Sequence, residues 1–196
     1  MRSVNGTLIV ANVVVFGLQL AYPPLLVPFA LWPFGPQLQA GAAVAFEPWQ
    51  LLTYAFLHGS VIHLGLNMFA LWMFGRDCER VLGARRYLTL YVAAVLSAAG
   101  TQLVVGTMTH STSPTIGASG GVFGVLLTFA VLYPRRRIML LFPPIPMPAW
   151  LFVTIYGLIE LGNGVLGTNA GVAHFAHLGG MLGAGLLLRH WHNAAR

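Results

Sequence analysis

Residues 117–137 read GASGGVFGVLLTFAVLYPRRR. Small residues open the stretch, and no charge follows until Pro134 and the three arginines Arg135, Arg136 and Arg137 close it. An uncharged apolar run that ends on a cation cluster reads as a membrane helix with its cationic end in the cytoplasm. The expected span is about 117–133.

Composition extends that reading to the whole chain. Of 196 residues, 57% are hydrophobic and 7% are charged. A soluble domain carries about 25% charged residues, so this chain lacks the polar side chains to cover a surface in water. All ten cations are arginines. They stand at Arg2, at Arg76, Arg80, Arg85 and Arg86, at Arg135 to Arg137, and at Arg189 and Arg196. The cation-free blocks 3–75, 87–134 and 138–188 are each long enough for two helices and a joining loop. At about 20 residues per crossing, six spans use roughly 120 residues. The expected fold is therefore all-α, with six transmembrane helices in a single domain over 1–196. Every arginine cluster and both termini face the cytoplasm. The net charge of +6 is spent on topology and does not read as nucleic-acid binding.

The other spans are expected at about 6–22, 60–76, 86–106, 148–162 and 171–189. Tyr22-Pro23-Pro24 follows the first apolar run where a cleaved leader would have small residues, so the run reads as a span. Asn5, Asn12 and Gln19 recur every seventh residue, and that face should point into the bundle. A long outer loop, 22–48, is broken by prolines, and Phe29, Trp32, Phe34 and Trp49 suit the membrane interface. A proline-rich turn covers 143–148, and loops 107–116 and 163–170 lie outside. The single cysteine, Cys78, falls in a cytoplasmic loop and excludes an internal disulfide. No internal repeat is evident, which disfavours an inverted-repeat transporter.

Four side chains carry possible chemistry. Ser119 lies just inside the outer end of its span, where free helix N–H groups can stabilise an oxyanion. His177 lies at matching depth, and an ionisable group inside a span is a functional candidate. Gly179, Gly180 and Gly183 would let the last helix press on the Ser119 helix. His63 and Asn67, four residues apart on one face, can both donate hydrogen bonds at the same depth. With His58 and Ser60 above them, these groups would make a wet cavity in the membrane. Each taken singly is better read as helix packing or a buried polar network.

Together they resemble the rhomboid intramembrane serine proteases. The likeness covers about residues 49–190. It rests on Gly117-Ala118-Ser119-Gly120, on Ala176-His177 with Gly180, and on His63-x-x-x-Asn67. Phe56-Leu57-His58 and Glu79-Arg80-x-x-Gly83 add to it. The resemblance implies a Ser119–His177 dyad, with His63, Asn67 and the Ser119 N–H as oxyanion hole and Gly117, Ala118, Phe123 and Gly180 in support. It implies no metal and no cofactor. The implied substrates are single-span membrane proteins cut near the outer face, with a small residue before the cut and an unstable helix after it.

Phe123 stands where the family often has tyrosine; it keeps a stacking surface for the histidine and loses the hydroxyl. Gln50 follows Trp49 where Trp-Arg is frequent, which bears on loop stability or lipid contact. Neither an added soluble domain nor a seventh span is expected. A dyad has no orienting carboxylate, and the chain offers four acids. Asp77 and Glu79 lie at the cytoplasmic end, where Glu79 is expected to pair with an arginine. Glu47 lies in the outer loop, and Glu160 is at a depth that could reach His177.

Two other readings stay open. His174 and His177 share a face and could bind zinc with His63 or His58, although no HExxH is present. A rhomboid-like protein could also bind membrane helices without cutting them, a class that loses the serine or the histidine. The fifth helix and loop 162–171 are the candidate substrate gate. The all-arginine cation set points to a prokaryotic inner membrane.

Overall fold

The computed structural model describes residues 3–39, 42–139, 144–167 and 173–194. Arg2, Arg196, Pro143 and residues 168–171 of the expected outer loop lie outside the described residues.

The fold is all-α, with two small hairpins. Helix α1 is Val4–Ala21, followed by a 3-10 turn at Pro23–Leu25 and the one-turn helix α2, Leu26–Phe29. Strands β1 (Gln37–Gln39) and β2 (Ala42–Val44) pair antiparallel. A short helix α3, Gln50–Thr53, and a second 3-10 turn lead to α4, Val61–Ala70. After a π-helical turn at Leu71–Gly75 comes the long helix α5, Arg76–Met108. Next are α6 (Ser119–Leu132), the hairpin of β3 (Arg137–Met139) and β4 (Pro146–Pro148), α7 (Ala149–Leu166) and α8 (His174–Ala194).

Among the described residues, three stretches are long and apolar enough to cross a membrane: Val4–Ala21, the 48-residue run Val61–Met108, and Ala149–Leu166. Ser119–Leu132 is a shorter apolar helix. At 1.5 Å per residue the middle run would measure about 72 Å, over twice the hydrocarbon thickness of about 30 Å. Its break is Gly83, whose φ of 76° is open to glycine and strained for other residues.

The segment between the second and third expected spans is therefore helical, where the charges of 76–86 suggested a loop. Two expectations fall with that loop. Cys78 is a buried helix residue whose thiol points at the Val125 carbonyl, 3.7 Å away. Among the described residues no arginine pairs with Glu79. Its carboxylate accepts from the Ser3 hydroxyl (2.6 Å) and from the Val4 and Asn5 amides (2.7 and 3.0 Å). It thus supplies acceptors and negative charge to the first turn of α1, where helical N–H groups have no partner of their own. Asp77 takes the arginines instead, Arg136 at 2.6 Å and Arg80 at 3.2 Å.

The polar stripe of α1 points inward as the spacing predicts. Asn5 donates to the Leu71 carbonyl (2.9 Å) and accepts from the Tyr87 hydroxyl (2.7 Å). Asn12 is buried and donates back to the Leu8 carbonyl at 2.8 Å. Gln19 donates to the His58 carbonyl (2.8 Å) and accepts from its amide (3.1 Å). In the outer loop Trp32 is not interfacial: it is 1% exposed, with its indole N–H on the Val27 carbonyl. Phe29, Phe34 and Trp49 are exposed. Gln50 is buried against this loop, accepting from the Trp32 amide (3.1 Å) and donating to the Pro28 carbonyl (3.3 Å).

Glycines set the spacing at the centre. A Cβ on Gly180 would run into the Gly120 carbonyl, and one on Gly124 into Ala94. Gly179 and Gly183 face Thr101 and Ser97 of α5, so Gly180 of the three is the one that meets the Ser119 helix. Helix α8 thereby packs against both α5 and α6, which also pack on each other, and it touches α7 as well.

Candidate active site

The site is assembled by what precedes α6. Thr115 and Leu31 exchange backbone hydrogen bonds (2.9 and 3.0 Å), and the Gly117 amide donates to the Tyr54 carbonyl at 2.9 Å. Gly117 then turns with φ 127°. Its missing side chain leaves room for His63, whose ring edge occupies the place a Cβ would need. Helix α6 starts at Ser119 immediately after this turn, with Ala118 buried beneath it.

Ser119 Oγ lies 2.7 Å from His177 Nε2. The His177 ring stacks on Phe123, with centroids 4.4 Å apart and planes 6° apart. On its far side, His177 Nδ1 lies 2.8 Å from Glu160 Oε2. The same oxygen lies 2.7 Å from His174 Nδ1. Glu160, His174 and His177 are all buried, at 7%, 6% and 9% exposure. An ionised carboxylate only accepts hydrogen bonds, so toward such a group both Nδ1 atoms would be the donors. A His177 ring that donates at Nδ1 has Nε2 left as an acceptor for the Ser119 hydroxyl.

Across the site, His63 Nδ1 faces the Gly59 amide at 3.4 Å. A ring that accepts at Nδ1 carries its proton on Nε2, the atom turned toward Gly117. Asn67 is buried and donates one amide hydrogen to the His63 carbonyl at 2.8 Å. Ser119, His177, His63, Asn67 and Phe123 all line one cavity of about 650 Å³. Its other walls are mainly apolar, with Phe74, Leu126 and Phe152 among them. Ser60 caps α4 by accepting from the His63 amide, and His58 packs edge-on against Phe16 and His63; neither is among the residues lining the cavity.

Glu160, His174 and His177 offer three ligand atoms within 4.8 Å of one another. His174 and His177 do converge, but with an acid from α7 in place of His63 or His58. Sequence reasoning placed Glu160 only at a compatible depth. It missed Tyr54, whose carbonyl fixes the Gly117 turn and whose hydroxyl donates to Val95 at 2.9 Å. A single aromatic in a turn carries no signal for that task.

The Rhomboid domain family model matches residues 45–191. The chain belongs to the rhomboid family. Among curated relatives, rhomboid protein 1, mitochondrial, of Saccharomyces cerevisiae is 37% identical over 99 residues, covering 50% of this chain and 29% of that protein. Rhomboid protease GluP of Bacillus subtilis is 31% identical over 139 residues, 70% of this chain and 25% of GluP. Presenilin-associated rhomboid-like protein A, mitochondrial, of Danio rerio is 32% identical over 129 residues, 65% of this chain and 33% of the relative. The chain thus spans about a quarter to a third of the length of these relatives. Rhomboid membership and the apolar helices together make it an integral membrane protein.

Proposed function

We propose that this rhomboid is an intramembrane serine endopeptidase. The observation that carries the reading is the 2.7 Å approach of Ser119 Oγ to His177 Nε2 at the wall of a largely apolar cavity. A serine and a base in that geometry form a nucleophile pair. The likeness to a relative named rhomboid protease GluP supports the same reading. A helix-binding member without catalysis would have no need of the pair.

In the proposed reaction, Ser119 Oγ attacks the carbonyl carbon of the scissile peptide while His177 Nε2 takes the hydroxyl proton. The tetrahedral oxyanion is held by the Ser119 amide, the His63 Nε2–H and the free amide hydrogen of Asn67. Collapse breaks the C–N bond, and His177 returns the proton to the leaving amine. Water, deprotonated by His177, then hydrolyses the acyl ester and restores Ser119. The residues need no metal or cofactor for these steps.

The reading carries a topology of six crossings, with the Val61–Met108 run crossing twice, once before and once after the break at Gly83 inside α5. Both termini then face the cytoplasm, and the cut falls near the outer face of the bilayer. The substrate is a single-span membrane protein whose helix unwinds at the cut, since a helical backbone hides its carbonyls from a nucleophile. Helix α7 is the proposed gate: Phe152 and Tyr156 wall the cavity, while Leu158 and Leu161 are exposed.

Cleavage of a transmembrane substrate in liposomes tests the reading. Wild type cuts, and folded Ser119→Ala and His177→Ala do not. A wild type that binds the substrate helix without cutting it is a binding protein. A Ser119→Ala variant that still cuts removes Ser119 from its role.

A further inference from the structure

We infer that Glu160 is a positioning residue that turns the Ser119–His177 pair into a Ser–His–Glu triad, with His174 fixing the carboxylate. The inference rests on the protease reading and adds a third member to it.

Three observations carry it. The Glu160 carboxylate contacts His177 at Nδ1, the ring nitrogen opposite the one facing Ser119. That contact selects one tautomer, since a carboxylate without a proton can only receive Nδ1–H. The selected tautomer leaves Nε2 with a free lone pair, which a general base requires. Next, the carboxylate is not a swinging surface group. It is buried, and Oε2 is fixed by a second donor, His174 Nδ1, at 2.7 Å. The two imidazoles stand at 87° to one another, so they approach the oxygen from different directions. Finally, Phe123 closes the face of His177, so the ring is constrained both in its plane and across it.

During the reaction the His177 ring becomes a cation when it accepts the serine proton. A fixed anion 2.8 Å from Nδ1 stabilises that cation without taking its proton. Glutamine in place of Glu160 removes the charge. It also lets the side-chain NH2 face Nδ1, favouring the tautomer in which Nε2 bears hydrogen and cannot accept from Ser119. His174 is a positioning residue that acts through Glu160, whose Oε2 lies 2.7 Å from its Nδ1.

The test compares wild type, Glu160→Gln, Glu160→Asp, His174→Ala and His174→Asn in liposomes. Cleavage gives kcat and KM, and a fluorophosphonate gives the labelling rate of Ser119 independently of substrate docking. For Glu160→Gln, kcat should fall by about 10²- to 10⁴-fold at unchanged KM. The labelling rate should fall with it, and Glu160→Asp should recover much of both. His174→Ala should lose kcat about tenfold at most, and His174→Asn, which keeps a donor near Nδ1, should regain it.

Glu160→Gln with kcat within threefold of wild type overturns the inference. So does a loss that Glu160→Asp fails to relieve, because the carboxylate would then be structural only. Abolition of wild-type activity by a chelator, with recovery on added zinc, would also overturn it by giving the cluster to a metal. If the Glu160 variants do not fold, ¹⁵N-histidine NMR of the wild type decides. A strongly deshielded Nδ1–H signal that moves when the fluorophosphonate occupies Ser119 supports the triad, and its absence overturns it. Wild type that neither cuts nor labels overturns the protease reading, whereas active wild type with active Glu160→Gln overturns only the triad.

Discussion

Phe123 and His177 lie face to face, 4.4 Å between ring centroids and 6° from parallel. Phe123 is one helical turn beyond Ser119 on α6, so the helix that presents Ser119 also presents the surface on which His177 rests. An aromatic pair of this kind contributes about 0.5–1.5 kcal/mol beyond burial. Phe123→Ala should therefore lower kcat by about 2- to 13-fold through a less restrained imidazole. Phe123→Tyr, which keeps the ring, should stay close to wild type. Cleavage rates and Ser119 labelling rates of the two variants check this. An alanine variant at full activity would show that Glu160 alone suffices to hold the ring.

The proposed oxyanion donors, His63 and Asn67, should show their effect in kcat rather than in KM, because charge on the carbonyl oxygen develops only during the reaction. His63→Ala and Asn67→Ala should each reduce kcat by about 10²- to 10³-fold. Their labelling rates should fall too, since a fluorophosphonate builds a similar anionic oxygen. Loss of substrate binding with kcat preserved would instead assign both residues to the substrate channel.

How much of this was legible in the sequence follows from what each residue's chemistry allows. Ser119 and His177 could be paired because glycine runs flank both and polar groups are scarce in the spans. The inward stripe Asn5, Asn12 and Gln19 could be read because a helix fixes its own period. The segment 76–86 could not. Arginine, glutamate, leucine and alanine favour a helix, while their charges suggest a loop, and tertiary packing settles the contest. Glu79 shows the same limit. An acid among four arginines reads as an ion pair, but the free amides of the α1 N-terminus, some 75 positions away, take it. Glu160 could be placed by depth only, since contact across two helices depends on rotation about each axis.

Glu79 gives a prediction confined to the other end of the molecule. Glu79→Ala removes three acceptor contacts from the start of α1. Loss of a helix cap costs about 0.5–2 kcal/mol, and the thermal midpoint in detergent should drop accordingly. Amide exchange should quicken at Val4 and Asn5 and hardly change at Ser119. Cleavage per folded molecule should remain close to wild type. A variant as stable as wild type, with slow exchange at Val4, would mean that Ser3 alone caps the helix.

Gly180 ties the stability of the bundle to its chemistry. It lies three residues after His177, and Gly120 lies one after Ser119, so the α6–α8 contact is made beside the pair itself. A methyl group at Gly180 would meet the Gly120 carbonyl, which is backbone and cannot rotate away. Helix α8 would have to retreat from α6 to admit it. Overpacking of this kind costs about 1–3 kcal/mol. A displacement of about 1 Å between reacting groups can cost 10²-fold in rate. Gly180→Ala should therefore lower the thermal midpoint and cut activity about 100-fold in the molecules that still fold. Gly100→Ala is the matched control, because a Cβ there meets nothing within 4 Å. It should leave activity unchanged, with stability at or slightly above wild type. Equal behaviour of the two variants would mean that α8 is free to shift without disturbing the 2.7 Å contact between His177 and Ser119.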